Sequence, residues 1–283
     1  MFGSFSRSYQ LVRHSWAILR QDKEIMIFPI LSGIASIALA ASFLVPLIFF
    51  GEHETVDNKM KIDLWWYVFT FLFYMVSYFI TIFFNVGVMH CASIRMNGGD
   101  PTINDGFQGA ISHLFPIIVW SLISATVGMI LRIIEERAAF VGRIVASILG
   151  LGWSFLTYFA VPVMVFEGKN AGRAIKRSAE LFKKTWGETV VGQAGIGLFF
   201  GWLAVVGAIP VGIAIYLTSQ GILGPLFATL IISVAFFYWI ALAVISAALK
   251  GIFHVALYRY AATGQIIGGF PEDVIARHWQ PKN

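Results

Sequence analysis

A single cysteine, Cys91, in 283 residues leaves no internal disulfide framework and no Cys-x-x-Cys metal or redox site. Charge is scarce too, at 12% of residues against 58% hydrophobic. The six histidines, at 14, 53, 90, 113, 254 and 278, form neither HExxH nor HxH nor a spaced His/Asp cluster, so a hydrolytic metal centre has no ligand set. The glycines around Gly195 follow no strand and lie in an apolar run, which excludes a dinucleotide fingerprint. No catalytic, cofactor-binding or metal-binding residue is assigned, no cofactor is expected, and the chain reads as a non-enzyme. The net charge of +5 is not carried by any soluble basic domain, so nucleic acid is not an expected partner.

What the chain has instead is long apolar runs, of about 20 residues or more, the length that crosses a bilayer. They predict an all-α polytopic membrane bundle of six transmembrane helices in a single integral membrane domain, 1–283. The first run extends from about Ile25 to Phe50. It contains a peptidase-like Ala38-Leu39-Ala40, but at about 26 residues it exceeds a signal-peptide core of about 7 to 15. The second opens on the aromatic belt Trp65-Trp66-Tyr67 and continues to about Met96, longer than a hydrocarbon core of about 30 Å requires. Spans follow at Phe115 to Ile134, Ala138 to Phe166, Val190 to Leu217 and Leu226 to Ala262.

Between the spans lie basic, Trp-edged stretches. From Ala171 on, a period of 3.6 residues gathers Ala174, Ile175, Ser178, Leu181, Phe182 and Trp186 on one face, and Arg173, Lys176, Arg177, Glu180, Lys183 and Lys184 on the other. That is the pattern of a helix lying in the headgroup plane before the chain turns inward at Gly187. The first 24 residues repeat it, and a shift of 170 positions lays Arg7, Ser8, Leu11 and Trp16 on Arg177, Ser178, Leu181 and Trp186. A shorter segment, Thr102 to His113, occupies the equivalent place before the third span. The expectation is three helical-hairpin units, roughly 1–97, 98–168 and 169–265, each preceded by a cytoplasmic interfacial amphipathic helix, with a cytoplasmic tail at 266–283. Most Lys and Arg then fall on the side of both termini, and only Lys59, Lys61, Arg132, Arg137 and Arg143 on the other. By the positive-inside rule both termini are expected to be cytoplasmic.

The second and sixth spans end alike, in His90-x-Ala92-x-x-Arg95 and His254-x-Ala256-x-x-Arg259. These four residues suit a headgroup or phosphate site, but charged helix ends anchored at the interface are the favoured reading. With Arg173, Lys176, Arg177, Lys183 and Lys184 they are the candidate lipid-binding residues, anionic headgroups being the expected partners. Asn85 and Gln193 are the polar residues expected within hydrocarbon depth, as an interhelical contact or part of a solute path. Gly192, Gly195, Gly197 and Gly201 leave one side of the fifth span without bulk and predict close helix packing.

The runs FPILSGIAS (28–36), TIFFNVGVMHCASI (81–94), TINDGFQGAI (102–111), ATVGMILRIIEER (125–137), WSFLTYFAVPVMVFE (153–167) and RSAELFKKTWGE (177–188) together resemble a bacterial family of polytopic membrane proteins known only as a domain of unknown function. More distantly, the order of amphipathic helix and span is similar to YciC-like proteins and to the membrane portion of some glycerophosphodiester phosphodiesterases, whose catalytic barrel has no counterpart here. The resemblance implies a helical membrane fold and no established activity. The expected function is therefore a non-enzymatic membrane protein that binds lipid, another membrane protein or a second copy. A small-solute or ion transporter or channel is the alternative.

Overall fold

A computed structural model describes residues 13–50, 64–137 and 140–264, and among them only helices and their connections occur. A helical segment at 13–21 and a 3-10 turn, Lys23–Met26, lead into α1, Ile27–Phe50. Then come α2 (Leu64–Met96), α3 (Ile103–Ser112), α4 (Leu114–Arg137), α5 (Phe140–Leu156), α6 (Ala160–Glu167), α7 (Ala171–Ser219) and α8 (Pro225–Thr263). Six stretches are long and apolar enough to cross a membrane: Lys23–Leu44, Tyr67–Met96, Leu114–Glu136, Gly142–Glu167, Gly192–Ser219 and Pro225–Thr263. The protein is a multi-pass membrane protein. The expected helix over the first 12 residues, the loop at 51–63 and the tail at 266–283 lie outside the described residues.

The local chemistry explains most boundaries. Thr102 caps α3 in a reciprocal box: the Asp105 N–H donates to its hydroxyl at 3.2 Å, and its own N–H donates to the Asp105 carboxylate at 2.8 Å. Gly98, at φ 84°, closes α2, and Gly168, at φ 62°, closes α6, both in the left-handed region that a side chain disfavours. Asn170 Oδ1 then accepts the Arg173 N–H at 3.1 Å and starts α7. Within α7, Thr185 leaves helical geometry (φ −126°, ψ 22°), two residues before the expected turn at Gly187. Thr, Trp and Gly in succession are weak helix formers, so the bend falls there.

The fourth span holds a further break that its uninterrupted apolar sequence hides. Pro162 has no N–H for the Tyr158 carbonyl and its ring opposes that carbonyl, so the helix stops at Leu156 and restarts at Ala160. Backbone left without a helical partner at such a site must find another. The Phe159 N–H donates to Ser178 Oγ at 2.9 Å, both residues fully buried.

The chain divides into two compact units: Met1–Met26 with Cys91–Pro101 and Thr185–Asn283, and Ile27–His90 with Thr102–Lys184. In the second, α1 meets α2 where Phe43 lies 4.5 Å from Phe69 and where Gly87 leaves space for the Phe28 ring. Gly109 of α3 gives the same room to His90. Helices α4 and α5 pack side by side, with Trp120 and Trp153 stacked at 6.2 Å. In the first unit the 3-10 turn lies against α8, and Gly192 of α7 receives the ring of Phe253. Farther along the same pair, Gly207 meets Tyr238, whose hydroxyl donates to the Leu203 carbonyl at 2.9 Å, and Trp239 Nε1 donates to the Ala204 carbonyl at 3.1 Å. Beside that contact Val206, Pro210, Leu230, Val234 and Tyr238 line an apolar groove of about 560 Å³.

Candidate functional site

Two groups of polar residues gather where helices end. In the first unit, α2 ends with Ser93 and Arg95 in its last turn and Asn97 just beyond it, and Arg259 lies one turn before the end of α8. Arg95 Nε and Nη2 donate to both carboxylate oxygens of Asp22, and Nη2 also reaches Asp100 Oδ1 at 2.5 Å. Asp22 is only 5% exposed and Arg95 20%. Covering a carboxylate is costly without a cation beside it, and the two-pronged guanidinium geometry supplies that cation. Arg259 reaches the same stretch of α2 differently. Its Nη2 donates to Ser93 Oγ at 2.6 Å and its Nη1 to Asn97 Oδ1 at 2.8 Å.

In the second unit the first part of α7, residues 171–184, turns Ala174, Ser178 and Leu181 inward. Phe182 stacks on Phe155 at 5.1 Å and meets Tyr158 at 6.3 Å, so this helix packs beneath the break in the fourth span. Its opposite side exposes Arg173, Lys176, Glu180, Lys183 and Lys184. Arg177 is partly engaged, 3.5 Å from Glu167 and 3.4 Å from Glu180, while Lys169 pairs with Glu167 at 2.5 Å. At the bend, buried Thr185 takes the inward place that periodicity assigns to Trp186, and Trp186 is 64% exposed.

A family model described as "Family of unknown function (DUF6159)" matches residues 64–269. The chain belongs to DUF6159. No curated protein matches it. The DUF6159 match takes in Ser93, Arg95, Asn97, Asp100 and Arg259 and the whole basic helix, whereas Asp22 precedes it.

The remaining predicted residues fall as follows within the DUF6159 region. His90 packs against Gly109, near His113 and Asp105, and so belongs to the α3 contact. His254 is half-buried on α8. Asn85 is half-buried and makes no hydrogen bond among the described residues, while Gln193 is half-buried and partnered. Of the small residues on α7, Gly192 carries a packing contact and Gly195 is buried, but an added Cβ at Gly197 or Gly201 would meet nothing within 4 Å among the described residues beyond its own stretch of helix. Among the described residues no group of three or more His, Cys, Asp or Glu could hold a metal ion. Sequence reasoning missed Asp22, Ser93, Asn97 and Asp100. The signal for Asp22 was available, as an acid just before a span that a nearby arginine must match.

Proposed function

We propose that this protein is a non-enzymatic lipid-binding component of a bacterial inner membrane, gripping the cytoplasmic leaflet through its basic helices, with both termini on that side. In this reading the chain is three hairpin units, each an interfacial helix followed by a span out and a span back. The distant likeness to YciC-like proteins belongs to the same reading. The observation that carries it is the exposed cationic row Arg173, Lys176, Lys183 and Lys184, set opposite the buried Ala174, Ser178 and Leu181 and followed by exposed Trp186. A helix of that build at the edge of a span attracts anionic headgroups at about 1 kcal/mol per close charge. The groove at Pro210 supports the reading from the hydrocarbon side, since it offers acyl chains an apolar wall.

The test compares wild type with a variant carrying Gln at Arg173, Lys176, Lys183 and Lys184, reconstituted with spin-labelled phosphatidylglycerol or phosphatidylcholine. Preference for the anionic lipid should fall by tenfold or more. An unchanged preference overturns the reading. A second reading, passage of a small solute, rests on Asn85, an amide about two thirds of the way along α2 that makes no hydrogen bond among the described residues. Liposome flux that Asn85→Leu abolishes would establish it.

A further inference from the structure

The two guanidinium groups at the end of α2 differ in what surrounds them. Arg95 is neutralised by Asp22 and Asp100. Arg259 meets neutral oxygens, and among the described residues no carboxylate lies within ion-pair distance of it. Arginine only donates, so Asn97 must turn its amide oxygen toward Arg259 and Ser93 must accept through its hydroxyl oxygen. Both acceptors are thereby occupied. What these three residues still offer is the Asn97 NH2, the Ser93 O–H and the unused guanidinium N–H groups, for none of which the described residues supply an acceptor. A half-buried positive charge whose two acceptors are already engaged, and beside which only donors remain, is complementary to an oxyanion.

We propose that Arg259, Asn97 and Ser93 form a binding site for a phosphate-type oxyanion, either the phosphodiester of a membrane lipid or free phosphate. The inference deepens the lipid-binding reading above, and it concerns the other unit of the chain. Its depth fits. Counted from Tyr67 and from Pro225, Ser93 and Arg259 lie about 40 and 50 Å along their helices, level with or just past the outer limit of a bilayer about 40–45 Å thick. A cation at two helix C-termini also offsets the negative pole there, but that role needs charge alone. The donor ring makes a sharper demand, which substitutions expose.

The test uses the full chain in neutral detergent, with wild type, Asn97→Asp, Ser93→Ala and the four-Gln variant of α7 side by side. Phosphatidylglycerol retention against phosphatidylcholine is read by native mass spectrometry, and the effect of inorganic phosphate is read on the thermal transition. Asn97→Asp keeps an acceptor for Arg259, so its own transition should match or exceed the wild type, while oxyanion binding falls tenfold or more. Ser93→Ala, which adds no charge, should weaken binding about threefold or more, and it carries the test if Asn97→Asp proves unstable. Loss in the lipid arm assigns the site to a lipid phosphodiester; loss in the phosphate arm assigns it to free phosphate. Wild type that binds neither probe, or binding that neither substitution alters, overturns the proposal. If the four-Gln variant alone loses lipid preference, the site fails and the surface reading stands; if only Asn97→Asp and Ser93→Ala lose binding, the reverse holds.

Discussion

The two ends of α8 are both mainly apolar in sequence and have opposite surroundings. From Leu226 to Phe237 the large side chains stand open, with Leu226, Val234 and Phe237 about 70% exposed. From Ala248 to Leu257 the helix is buried nearly all round, and Leu249, Ile252, Phe253 and Leu257 are at most 1% exposed. In water such an open end would be untenable, because the exposed apolar area is far larger than a soluble surface carries. In a bilayer it is ordinary, since lipid tails are as apolar as leucine and burial there drives nothing. What separates the ends is close packing and polar pairing: Gly192 on Phe253, and Arg259 on Ser93 and Asn97.

Paired substitutions can break that contrast. The largest effect should come from Gly192→Leu, which drives a side chain into the Phe253 ring and should cost about 3 kcal/mol by overpacking. Gly197→Leu, facing open space, should stay within about 0.5 kcal/mol. Thermal unfolding in detergent compares them, and equal losses would mean that an unseen partner covers Gly197. Next, Asp22→Asn removes the two-pronged carboxylate, itself only 5% exposed, and leaves Arg95 with Asp100 alone; it should cost about 1.5 to 3 kcal/mol, against about 0 to 1 for Asp100→Asn, whose side chain is 92% exposed. Similar values would show that water reaches Asp22. Ser178→Ala removes the acceptor of the buried Phe159 N–H and should cost about 1 to 3 kcal/mol, whereas Ser233→Ala, whose hydroxyl only returns to the Thr229 carbonyl, should be close to neutral. The smallest effect is acid-dependent. The Thr102 N–H and then its hydroxyl hold the Asp105 carboxyl below its ordinary pKa. The cap is therefore fully formed above the ordinary carboxylate pKa and is lost as pH falls through the lower folded value. Hydrogen-exchange protection of α3 should drop in acid for wild type and stay flat for Asp105→Asn.

The spans themselves were legible because apolar run length is a direct physical requirement of the bilayer. The break at Leu156 was not, because Pro162 near the end of a run reads as a terminus, and only the chain beyond shows that helix resumes to Glu167. The bend at Thr185 was placed within two residues, since Gly187 marks the same weak stretch. The row of small residues on α7 misled in part. A glycine records that a neighbour could come close, while Gly192 and Gly197 differ only in whether one does. Likewise Arg95 and Arg259 are alike in sequence context, yet Arg95 pairs with Asp22, 73 residues before it, and Arg259 with Ser93 and Asn97, 166 and 162 residues before it, so neither pairing shows locally.

The Tyr238 and Trp239 bonds to the Leu203 and Ala204 carbonyls lie where the helices face hydrocarbon. Neither group surrenders a water molecule there, so α7 and α8 can clasp as soon as both have entered the bilayer. Biosynthesis can thus deliver the last hairpin ready-made, leaving only its inner end to find the rest of the fold.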